Sequence, residues 1–107
     1  MSLDVWLNDP VHGEVFDWNI THNLNSMASE AGIYKQLWRP DEIGCVVAGD
    51  IAEALEAGLI LLVTQPDRFR AFNPENGWGD YPGLVAFVTE YHAACRKWPK
   101  AEIWVSR

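Results

Sequence analysis

The chain opens on alternation. Leu3, Val5 and Leu7 alternate with Asp4 and Trp6, a period of two that predicts a strand with one buried face. Asn8-Asp9-Pro10 and Gly13 punctuate it as a turn, and Val15, Phe16, Trp18 and Ile20 then read as a second strand. A hairpin is the economical connection between the two. The period then lengthens. Leu24, Met27, Ala28, Ala31, Tyr34 and Trp38 follow at helical spacing, with Thr21 or Asn23 as the predicted N-cap and Pro40 as the stop. Gly32 lies inside this first helix and weakens it by about 1 kcal/mol relative to alanine.

Residues 39–49 read as a connection with a short extended piece at Cys45-Val46-Val47. Asp50 and Glu53 have the spacing of a capping box for a second helix, whose predicted buried stripe is Ile51, Leu55, Leu59 and Leu62. Gly58 in its interior costs stability unless another backbone packs closely there. Pro66 ends it, and residues 66–72 are expected to add a short helical turn. Asn73-Pro74 and Asn76-Gly77 mark a loop, after which Asp80 is the predicted cap of a third helix with Pro82 in its first turn. Leu84, Phe87, Val88, Tyr91, Cys95 and Trp98 lie on one face of that helix, and Pro99 closes it. Ala101, Ile103 and Val105 alternate with Glu102, Trp104 and Ser106 as a terminal strand.

The order is therefore β-β-α-α-α-β over one α+β domain, residues 1–107. A small antiparallel or mixed sheet, built from the N-terminal hairpin and the C-terminal strand, is expected to carry three main helices on one face. Six tryptophans let a core of modest residue count bury adequate area. No apolar run approaches the roughly 18 residues of a membrane span, and no basic-then-apolar leader precedes Asp4. A cytoplasmic location without membrane contact is the expectation. Cys45 and Cys95 fit neither a disulfide framework nor a zinc site and read as buried free thiols.

Charge changes the picture. Net charge is −7, and its distribution is uneven. Residues 1–56 hold ten acidic and two basic side chains, a balance of −8, while residues 57–107 hold five acidic and six basic, a balance of +1. Such a field repels phosphate backbones and argues against direct nucleic-acid binding. It leaves open a basic protein partner, or mimicry of nucleic acid toward a protein that binds it, beside the plainer reading that acidity serves solubility.

Two polar motifs are the candidates for chemistry. In Asn19-Ile20-Thr21-His22-Asn23, hydrogen-bonding side chains cluster where a strand meets a helix. The helix start would add unpaired N–H groups and a positive dipole end suited to an anion or carbonyl. The plainer alternative is that Thr21 or Asn23 caps the helix and Asn19 ties down a turn. In residues 73–81, glycines flank Trp78. The indole either stacks on a ring or anchors an interface, or it folds back as a lid over the core. Asn19, Thr21, His22, Asn23, Asn76, Trp78, Asp80 and Tyr81 are accordingly the candidate binding residues. His12, His22 and His92 lack any metal-ligand spacing, no nucleophile motif is present, and neither a catalytic residue nor a cofactor is expected.

At these motifs the chain resembles a group of small uncharacterised proteins encoded by bacteriophages, prophages and some bacterial genomes. The resemblance rests on Asn19-Ile20-Thr21-His22-Asn23, on Asn73-Pro74 with Asn76-Gly77-Trp78-Gly79 and Tyr81, and on the ending from Ala101 to Arg107. It spans most of residues 15–107 and implies a phage-type accessory context, with no catalytic or binding residue carried over. The expectation is a non-enzymatic accessory protein that binds another protein, such as a host or defence component. The alternative is a small-ligand binder of nucleotide-like specificity, in which the two motifs meet around one pocket. A homo-oligomeric structural role is a third reading.

Overall fold

The computed structural model describes residues 2–107. Strands β1 (Ser2–Asp9), β2 (Gly13–Thr21) and β3 (Glu102–Ser106) form an antiparallel sheet in the order β2-β1-β3. The fold is α+β as the hydrophobic pattern predicts, with the helices inserted between the hairpin and the last strand. The sheet is antiparallel throughout rather than mixed.

Alternation sorts the two faces of the sheet. Leu3, Val5 and Leu7 are buried, opposite Ile20, Trp18 and Phe16 on β2, with Val5 and Leu7 also opposite Val105 and Ile103 on β3. The other face carries Asp4, Trp6, Asp17, Asn19 and Trp104, and Trp6 sits directly across from both Asp17 and Trp104. The hairpin turn is held by Asp9, whose Oδ2 accepts from the backbone N–H of Val11 and of His12, each at 3.0 Å.

The helices are α1 (Asn25–Glu30), α2 (Tyr34–Trp38), α3 (Ala52–Thr64), α4 (Pro66–Arg70) and α5 (Tyr81–Lys97). The long one behaves as its pattern predicts. Leu84, Phe87, Val88, Tyr91 and Cys95 are buried, and Phe87 and Tyr91 pack on Trp18 and Phe16 of β2 with ring centroids 5.9 and 5.2 Å apart. Asp80 caps α5 by accepting from Gly83 N–H at 2.8 Å.

Four local expectations need correction. The predicted first helix is two short helices, because Gly32 adopts φ +78° and turns the chain between them. Glycine enters the left-handed region without steric cost, so the residue breaks the helix instead of merely weakening it. The break delivers Ile33 to α3, where a Cβ added at Gly58 would lie 2.5 Å from Ile33 Cγ2 and 3.3 Å from Ala31 O. That is the close backbone packing that an interior glycine requires. Asp50 does not cap α3. Its carboxylate turns back to accept from Val46 and Val47 N–H at 2.9 and 3.1 Å, which holds its pKa below the ordinary carboxylate value. This carboxylate steadies the extended piece that bridges to β3 at Val47 and Glu102. Both cysteines are free thiols, but only Cys95 is buried, with burial pushing its pKa up to about 12; Cys45 is half-buried. Leu59 is half-buried as well.

No helix among the described residues is long and apolar enough to cross a membrane.

Candidate binding cleft

Thr21 ends β2 in an extended conformation, and its Oγ1 accepts from Asn23 N–H at 3.3 Å to start a single 3-10 turn over His22–Leu24. Thr21, of the two predicted candidates, is thus the cap. The helix that follows has only six residues, too short to supply the dipole expected from the sequence. What the junction offers is side chains. Asn19 points its Nδ2 at Asp4 Oδ1 (2.7 Å) and Ser2 Oγ (3.0 Å), binding across the hairpin and not within a turn. His22 Nε2 lies 2.6 Å from Ser2 O. A carbonyl only accepts, so Nε2 carries the hydrogen and Nδ1 is the acceptor of the neutral ring. The His22 ring meets Trp38 edge-on, with centroids 6.2 Å apart.

The second motif is a shaped loop. Trp78 N–H donates to Asn76 Oδ1 at 2.9 Å, and Tyr81 N–H donates to Asn73 Oδ1 at 2.8 Å. Gly77 and Gly79 both have positive φ, +75° and +90°. Gly79 is also where the two motifs touch. A Cβ there would sit 2.5 Å from Thr21 Cγ2 and 3.1 Å from Leu24 Cγ, so only a hydrogen fits between loop and strand end. This contact holds the loop against the β2 terminus. Trp78 does not fold back over the core: its side chain stands out, 71% exposed.

Together the motifs line one cleft of about 620 Å³, formed by Ser2, Asn19, Thr21, His22, Asn23, Asn76 and Trp78. Six of the eight residues chosen from the sequence meet there. The other two have structural duties. Asp80 caps α5, and Tyr81 is buried with its hydroxyl donating to Leu62 O at 2.5 Å. Ser2 escaped the sequence reading. The hairpin register pairs it with Thr21, and only that register reveals it as the residue that positions both Asn19 and His22.

The electrostatics near the cleft are one-sided. Arg68, Arg96 and Arg107 from the second half of the chain reach acids of the first, pairing with Glu30, Glu56 and Asp41. Lys35 and Arg39 pair with Glu42, and Arg70 with Asp67. Neither lysine nor arginine lines the cleft. Through Asn19 it adjoins a smaller depression on the open face of the sheet, about 240 Å³, bordered by Asp4, Trp6, Asp17 and Trp18. Among the described residues, no three metal-ligating side chains converge.

Comparison with family models, with curated proteins and with solved structures gives no match.

Proposed function

We propose that this chain is a non-enzymatic accessory protein of phage type that acts by binding another protein, a host or defence component, through the cleft beside Trp78. One observation carries the reading. Trp78 is 71% exposed on a loop fixed by Asn73, Asn76 and Gly79. A large aromatic with few rotatable bonds on a fixed backbone loses little conformational freedom on docking and supplies much contact area, which is the character of an interface anchor. The acidic first half would steer a basic partner toward it. A binding role suits the lining better than catalysis does. Among the described residues no carboxylate or thiol lines the cleft with His22, and one of its ring nitrogens is already committed to Ser2.

The test is capture of partner from host lysate with the chain and its Trp78→Ala variant side by side, at low and high salt. The expected result is a specific protein lost on removal of the indole and weakened by salt. Equal capture by both variants at every salt concentration would remove this reading.

A second reading is a nucleotide-like small ligand held by the two motifs. It is favoured by the cleft volume, which falls within the roughly 300–1,000 Å³ of ligand pockets. Mass measurement of gently denatured protein from cells checks it, since a retained small molecule would appear beside the intact chain.

A further inference from the structure

The cleft has a polarity of its own, set by which hydrogen-bonding atoms the fold has already used. Both hydrogens of Asn19 Nδ2 are committed, one to Ser2 Oγ and one to Asp4 Oδ1. A carboxylate cannot donate, so the amide orientation is fixed, and Oδ1 is the polar atom left to Asn19. Nε2–H of His22 is committed to Ser2 O, which leaves Nδ1 as an acceptor. Two acceptors therefore remain among the lining residues, while the exposed indole of Trp78 supplies an aromatic face. The adjoining depression adds two carboxylates, Asp4 and Asp17, neither ion-paired with a lysine, arginine or histidine among the described residues.

An occupant that fits must donate hydrogen bonds, be flat enough to stack and carry positive charge. A phosphate is anionic and has no flat face to stack, and no cationic side chain lines the cleft among the described residues. A lysine ammonium donates and is charged, but has no flat face. Guanidinium meets all three: it is planar, always protonated, donates only, and packs on aromatic rings.

We propose that the cleft takes a guanidinium group, presented as an arginine side chain of the basic partner, stacked on Trp78 and donating to Asn19 Oδ1 and His22 Nδ1. This rests on the protein-binding reading above and names the chemistry of its contact. The carboxylates of Asp4 and Asp17 compensate the charge from the neighbouring sheet face.

The experiment follows the indole N–H resonance of Trp78 in the isotope-labelled 107-residue chain, assigned by its loss in Trp78→Ala. A local readout is needed because a chain of net charge −7 attracts cations everywhere. The probes are capped Gly-Arg-Gly, its lysine and citrulline counterparts, methylguanidinium and adenosine. The arginine peptide should shift the resonance saturably and bind about tenfold tighter than the citrulline peptide, which has the same shape without the charge. Calorimetry should show the arginine peptide's affinity falling by about tenfold in Trp78→Ala. Lysine or citrulline matching arginine, or an arginine affinity indifferent to Trp78, would overturn the proposal. Methylguanidinium binding as tightly as the peptide would move the source from a protein partner to a free small guanidinium compound and overturn the assignment to arginine. Adenosine alone shifting the resonance would overturn it in favour of a nucleobase. The two levels separate cleanly. Trp78-dependent capture without arginine binding removes the guanidinium and keeps the partner, whereas Trp78-independent capture removes the partner reading itself.

Discussion

Gly58 and Gly79 close two contacts of equal tightness in opposite surroundings. A Cβ at either would come within 2.5 Å of a neighbouring methyl, Ile33 Cγ2 in one case and Thr21 Cγ2 in the other. Around Gly58 the side chains are apolar and buried: Ala31, Ile33, Leu55 and Leu62. Around Gly79 the contact joins two polar segments beside an exposed indole and a cleft. The first glycine lets helices pack. The second lets a loop be placed. The same device therefore serves stability on the helix-covered side of the sheet and display at its end, and the two sides should respond differently to substitution.

The largest effect is expected on the packed side. Phe87→Ala removes a fully buried ring from between Trp18 and Tyr91, and should cost about 3–5 kcal/mol, read as a lowered denaturant midpoint. Gly79→Ala comes next. It combines a positive φ with a clash against Thr21 and Leu24, for about 1–3 kcal/mol, and it should also displace the Trp78 resonance, which Phe87→Ala should spare at temperatures where both variants remain folded. Acid provides a gentler probe of the rim of the packed side. The folded-state pKa of Asp50 is depressed by Val46 and Val47 N–H, so its contribution is present above the ordinary carboxylate value and is lost as pH falls through the depressed one. The protection of the Val46 and Val47 amides relative to an unstructured chain at the same pH should fall over that window, and Asp50→Ala should abolish the dependence. Trp78→Ala should be smallest in stability, within about 0.5 kcal/mol of the parent by thermal melt, because so little of the ring is buried. A large loss of stability in Trp78→Ala would break the contrast between the two sides.

Much of the fold could be read in the chain because its signals are local and repeated. The alternation at Leu3, Val5 and Leu7 and the stripe from Leu84 to Cys95 each fix an element and its buried face. Errors arose where one residue had two physical outlets. Gly32 could weaken a helix or break it, and the choice depended on Ile33 finding Gly58 across the core. Asp50 could cap forward or bond backward, and the backward N–H groups belong to a segment placed by β3. The cleft was legible as residue types but not as a place. Its assembly hangs on Gly79 meeting Thr21, a contact between distant segments with no local periodic signal, and on a register that brings Ser2 beside Thr21.

The position of β2 at one end of the sheet has its own consequence. Its nine residues leave an outer row of backbone donors and acceptors that could template a strand from another molecule. Glu14 and Asp17 are exposed along that strand. Two molecules approaching with these strands side by side would bring like charges together, so the acidity of the first half also opposes pairing of two copies through this strand.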